Sequence, residues 1–149
     1  MVLIHIYQQS TELSMNIKRL LLIGLCAALP ICAKPKATSR VVEFQITRSK
    51  SSLEAFKQRI GQGHVVVDFY APWCGPCKRI APIFGELSNT YTNVTFIKVN
   101  IDDHKEIATQ YNVRSIPQLL FFKDGCLVET FVGQKSKNDI QRALNKHFK

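Results

Sequence analysis

Two cysteines separated by two residues stand between an apolar run and a long amphipathic stretch, and that placement limits the folds open to this chain. The run is Val65-Val66-Val67-Asp68-Phe69-Tyr70, and the cysteines follow in Trp73-Cys74-Gly75-Pro76-Cys77-Lys78. A short, nearly all-apolar run predicts a strand buried on both faces. After Cys74, the residues Ile80, Ile83, Phe84, Leu87 and Tyr91 recur at helical spacing, predicting a helix to about Tyr91 with one buried face. Pro82 lies within that pattern, where it removes a backbone donor and predicts a kink.

The rest of the chain supplies partners for this unit. Val41 to Ile46 reads as a first strand, and Ser51 and Glu54 form a capping-box pair ahead of a helix that should stop near Gly61 or Gly63. Val94 to Val99 is another strand, and Asp103 and Glu106 can cap a short helix ending near Asn112. Leu119–Lys123 and Leu127–Val132 are strands joined by Asp124-Gly125, a dipeptide suited to a tight hairpin. Ser136 and Asp139 begin a last helix with Ile140, Ala143, Leu144 and Phe148 on its apolar face. The order βαβαβαββα predicts an α/β fold, a three-layer α/β/α sandwich around a mixed five-stranded sheet. With 149 residues, 46% of them hydrophobic, the chain suits one domain plus a tail.

The tail is N-terminal. Lys18 and Arg19 precede the apolar run Leu20 to Ala33, and Glu12 is the only acidic residue before Glu43. Basic residues, a short apolar stretch and a small residue at its end read as a signal peptide over residues 1–33, cut after Ala33, with residues 34–40 as linker and 41–149 as domain. Met15 is an alternative start. The run is shorter than the roughly 20 residues of a bilayer span, and Pro30 lies inside it. Export to a periplasm or outside the cell is expected if the leader is cleaved. Acylation of Cys32, an uncleaved membrane anchor, a mitochondrial presequence and a cytoplasmic chain remain the alternatives. The net charge of +9 is spread along the chain without a basic run, which fits a solvated surface better than a nucleic-acid partner.

Two thiols at a helix start can close a small disulfide ring, and backbone N–H groups and the helix dipole there favour a thiolate. Gly75 allows close approach, and Pro76 suits an early helical position because its missing donor is not needed there. A structural zinc site is the competing reading, yet it needs four ligands. Cys126 is the one spare domain thiol, and His64, His104 and His147 show no ligand spacing and read as surface or strand-end residues. Neither a metal nor a cofactor is expected. Asp68 is the one charge in an apolar strand, where desolvation should raise its pKa and make it a plausible proton carrier, against the alternative of a satisfied buried carboxyl.

Residues 41–149 resemble the thioredoxin family. The likeness rests on Val67 to Lys78, Ala81-Pro82, Val99-Asn100-Ile101-Asp102, Ser115-Ile116-Pro117, Phe122 to Gly125 and Val132-Gly133, in that order and spacing. The resemblance implies a thioredoxin fold and a thiol–disulfide oxidoreductase that reduces protein disulfides. It implies Cys74 as attacking thiolate, Cys77 as the more buried resolving thiol, and Asp68 as the buried carboxylate beneath them. It implies a cis-proline junction at Ile116-Pro117 and a docking surface of Trp73, Gly75, Pro76, Ile116, Pro117 and Gly133. Expected partners are protein disulfides and an upstream reductase or membrane electron donor, with the chain a monomer.

The chain departs from the family pattern at Gln118, Gln134 and Tyr70, near the docking surface, which bears on substrate preference more than on chemistry. Cys126 is expected as a half-buried strand thiol, with a regulatory thiol as the alternative. The Gly-Pro dipeptide resembles reducing members. Rival readings are an exported oxidase or isomerase, and a binding module without turnover.

Overall fold

A computed structural model describes residues 40–45 and 52–149. The leader, Cys26, Cys32, Ile46 and Ser51 lie outside the described residues. The elements are β1 (Val42–Glu43), α1 (Ser52–Ile60), β2 (His64–Tyr70), α2 (Gly75–Thr90), β3 (Val94–Asn100), α3 (Lys105–Gln110), β4 (Gln118–Lys123), β5 (Cys126–Val132) and α4 (Lys137–His147). Their order is the one that periodicity predicted.

The five strands form one sheet in the order β1-β3-β2-β4-β5. β1, β3 and β2 run parallel, while β4 is antiparallel to both β2 and β5. Alternation along β2 sorts its side chains to the two faces. Val65, Val67 and Phe69 pack with Phe56 and Ile60 of α1 and Ile107 of α3. Val66 packs on the opposite face with Ile80, Phe84 and Leu87 of α2 and Ile140 and Leu144 of α4. Two cores thus sandwich the sheet, and the five interior residues of β2 are all buried.

Local chemistry explains most boundaries. Ser136 caps α4: its hydroxyl accepts from the Asp139 backbone N–H, and the Asp139 carboxylate accepts from the Ser136 N–H. The β4–β5 hairpin turns at Asp124 and Gly125, both with positive φ (49° and 82°), the conformation a two-residue turn needs. Asp124 also ties this turn to the α1–β2 loop, since its N–H donates to the Gly63 carbonyl and its Oδ1 accepts from the Gly63 N–H.

Several expectations require correction. The first strand is confined to Val42–Glu43, although the Phe44 N–H still donates to the Lys98 carbonyl. Helix α3 spans Lys105–Gln110 behind His104, which gives no side-chain cap; Asp103 instead accepts from the Asn100 amide. His104 is buried, its Nε2 lying 3.2 Å from the Phe44 carbonyl and its ring edge-on to that of Phe44. It anchors the end of β1, so it is no surface residue. Cys126 opens the edge strand β5 and is exposed, not half-buried.

The positive φ of Gly125 yields a test. A Cβ there would meet only ordinary van der Waals contacts, so the cost of Gly125→Ala is conformational. Set against the entropy that alanine removes from the unfolded chain, a net loss of about 1 kcal/mol is expected. It should appear as a lower denaturant midpoint with an unchanged slope.

Candidate active site

The sheet brings the reactive segment to the C-terminal ends of β2 and β3. The Ile101 N–H donates to the Tyr70 carbonyl, holding the two strand ends side by side. From there Ala71 to Trp73 turn the chain, and the Cys74 N–H donates back to the Ala71 carbonyl. Cys74 is the N-cap of α2, with extended backbone and Pro76 in the first turn. Its Sγ accepts from the Cys77 N–H at 3.2 Å, a bond that places a first-turn helix donor and the positive end of the helix dipole at that sulfur.

Cys74 and Cys77 are joined in a disulfide. Both are buried against Ala71, with Tyr70, Ile101 and Ile116 packed around them. Residue exposures of 4% and 3% do not separate the two cysteines, so burial alone does not single out Cys77 as the resolving thiol. Gly75 and Pro76 beside them are exposed.

The predicted docking residues gather around this disulfide. Trp73 is 67% exposed, so it is not core, and its Nε1 donates to the Asp102 carboxylate at 3.0 Å. The Ile116–Pro117 peptide is cis. The Gly133 N–H donates to the Pro117 carbonyl at 2.8 Å, tying the exit of β5 to the entry of β4. A groove of about 330 Å³ runs beside the pair, lined by Trp73, Ile101, Val113, Arg114, Ser115 and Ile116. Sequence reasoning missed Asp102 as the support of Trp73, and Val113 to Ser115 as groove walls. Asp102 stood within a quoted motif, but pairing across 29 residues left no periodic signal. Cys126 lies at the far end of β5 from Gly133, roughly 20 Å along the strand, and does not join the pair.

Asp68 is fully buried, and neither of its carboxyl oxygens has a hydrogen-bond partner among the described residues. Burial raises its pKa from 3.8 to about 7; Lys98 draws it down and Glu43 adds to the rise. Asp68 shares the sheet face of Val66, on the side covered by α2, whose first turn carries Cys77.

The thioredoxin family profile matches residues 47–146. The chain belongs to the thioredoxin family. It is 45% identical over 95 residues to thioredoxin 1 of Synechococcus elongatus, covering 62% of this chain and 89% of that one. Against the thioredoxin of Bacillus subtilis it is 44% identical over 99 residues, covering 66% and 95%. Among solved structures, thioredoxin NaTrxh from Nicotiana alata superposes with a TM-score of 0.67 at 34% identity, covering 74% of this chain and 95% of that one. The oxidised thioredoxin of Plasmodium falciparum gives 0.63 at 34% identity, covering 73% and 99%. The chain is a thioredoxin-type thiol–disulfide oxidoreductase, a protein-disulfide reductase whose Cys-x-x-Cys disulfide is Cys74–Cys77.

Burial of Asp68 in a thioredoxin of this kind has a measurable cost. Between pH 3.8 and about 7 the folded chain keeps a proton on Asp68 that the unfolded chain has lost. Stability therefore falls as pH rises through that window and stays lower above it. The raised pKa corresponds to a penalty on the order of 4 kcal/mol at pH 8. Asp68→Asn should accordingly stabilise the oxidised protein at pH 8 and have little effect near pH 4, as read by chemical denaturation at both pH values.

Proposed function

We propose that this chain reduces disulfides of other proteins in two exchange steps, with Cys74 as nucleophile, Cys77 as resolving thiol and Asp68 as proton acceptor. The observation that carries this reading is the Cys74–Cys77 disulfide at the start of α2, on the sheet face where the unpartnered carboxyl of Asp68 is buried. In the reduced protein the Cys74 thiolate attacks one sulfur of a target disulfide. A Cys74–target disulfide forms, and the other target sulfur leaves as thiolate. Cys77 then gives its proton to ionised Asp68 and attacks the Cys74 sulfur, releasing the second target thiolate and closing Cys74–Cys77. Two electrons pass from the dithiol to the target, and an upstream dithiol donor must return them.

The Cys77 N–H aimed at the Cys74 sulfur favours its thiolate over the thiol. The exposed Trp73 and the groove at Ile116 suit an extended segment of the target, with Ile116 offering backbone to it as an added strand would. Residues 1–33 act as an export signal in this reading. Outside the reducing cytoplasm the pair would need a membrane-borne electron donor, because such compartments hold thiols oxidised. N-terminal sequencing of the mature chain, with a start at Lys34, tests that part separately; an intact Met1 or Met15 start contradicts it.

Replacing the thiols one at a time tests the division of labour. Cys74→Ser should abolish disulfide reduction and form no mixed disulfide. Cys77→Ser should accumulate a covalent Cys74–target adduct, removed by dithiothreitol and visible by mass spectrometry. An adduct that forms through Cys77 in the Cys74→Ser protein and not through Cys74 would reverse the two roles.

A further inference from the structure

Three charged side chains lie side by side across the sheet next to the active site. Glu43 on β1 is in register with Lys98 on β3, and Lys98 is in register with Asp68 on β2. Residues in register share a face, so the row reads acid, base, acid. Tyr70, two residues beyond Asp68, stands on the same face. The Lys98 ammonium lies 3.6 Å from the centre of the Tyr70 ring, and the Tyr70 hydroxyl donates to Glu43 Oε1 at 2.7 Å. One tyrosine thus holds the cation on its ring and the anion on its hydroxyl. Asp68, at the buried end of the row, has no hydrogen-bond partner of its own among the described residues. Burial has the largest effect on its proton, and the fields of Lys98 and Glu43 adjust it in opposite directions.

We propose that Glu43 and Tyr70 are positioning residues that set the pH at which Asp68 accepts the Cys77 proton, by fixing how much of the Lys98 charge, and how much opposing charge, reaches Asp68. The inference rests on the reading of Asp68 as proton acceptor given above. The charged and titratable groups acting on Asp68 are Lys98 from β3, Glu43 from β1 and Tyr70 from its own strand, and α2, whose first turn carries Cys77, covers the same side of the sheet. β4 opposes it with Leu119, which carries no charge, and Asp103 acts on Tyr70 from beyond β3. Lys98 favours the Asp68 carboxylate and Glu43 opposes it, in the directions their charges require. Burial and the bond to Glu43 also keep the Tyr70 hydroxyl protonated, so it remains a donor across the working pH range.

Each substitution has a sign. Glu43→Gln removes an opposing charge, so Asp68 ionises at lower pH. Lys98→Gln does the reverse. Tyr70→Phe releases Glu43, which can then turn to Lys98, its neighbour in register, and draw it from Asp68. Asp68 then ionises at higher pH. In a Glu43→Gln background the same Tyr70→Phe change should have almost no effect.

Two readouts on the full-length protein test this. One is the pH titration of the Asp68 carboxyl carbon by NMR in the oxidised state. The other is the pH dependence of target release from the mixed disulfide, followed by stopped flow. Glu43→Gln is expected to lower the Asp68 midpoint by about half a pH unit, with the acid limb of target release moving the same way. An unmoved midpoint in a variant with intact far-UV circular dichroism overturns the proposal. So does a Tyr70→Phe shift equal in size with and without Glu43. If Glu43→Gln does not fold, the Tyr70→Phe and Lys98→Gln midpoints decide, and a fall in either is contrary. Failure of the underlying reading looks different: Asp68→Asn would then leave the target-release profile unchanged, whatever the titration of Asp68 shows.

Discussion

Strand β2 is the constraint on which the rest of this structure depends. It is hydrogen-bonded along its length to β3 on one side and β4 on the other, and helices cover both of its faces. A strand so enclosed offers no solvent to a polar side chain, and burying an unpaired carboxyl is costly. Asp68 is buried there at that cost, on the sheet face covered by α2. The same strand delivers Cys74 to the C-terminal end of the sheet, where the turn through Ala71 and Trp73 makes it the cap of α2. Fold and chemistry therefore share a single element.

The surroundings of the pair divide into a rigid and an accessible part. Below the disulfide, Ala71, Ile101 and Ile116 exclude water and fix the cysteines between the strand ends. Above it, Trp73, Gly75 and Pro76 are open, and Trp73 is steadied by Asp102 without being buried. In the proposed mechanism a protein partner would approach the pair from this open side. Polar groups placed at some distance, Glu43 on the edge strand and Lys98 on β3, reach the buried carboxyl through their fields and need no direct bond to it.

Much of this was legible in the sequence because it is written in local periodicity. The nearly all-apolar run of β2, the 3.6-residue spacing on α2, the Asp124-Gly125 turn and the Ser136–Asp139 capping pair each depend on residues close together in the chain. Asp68 stood out for the same reason, as a charge where the pattern allowed none. What escaped depends on pairings distant in sequence. The burial of His104 follows from Phe44, 60 residues earlier, and the Tyr70–Glu43 bond spans 27 residues. The first strand was overestimated because apolar alternation cannot show where pairing with β3 ends. Cys126 looked half-buried because its strand is apolar, but β5 is an edge strand and its first residue lies open beside a turn.

The reduction potential of Cys74–Cys77, measured by equilibrating the purified protein against a series of dithiols, bears most directly on the assignment as a reductase. A reductase requires a pair that holds its electrons less firmly than its targets hold theirs. The expected potential is therefore more negative than about −250 mV, at or below the glutathione poise. A value less negative than about −200 mV, in the range of disulfide donors and isomerases, would contradict it.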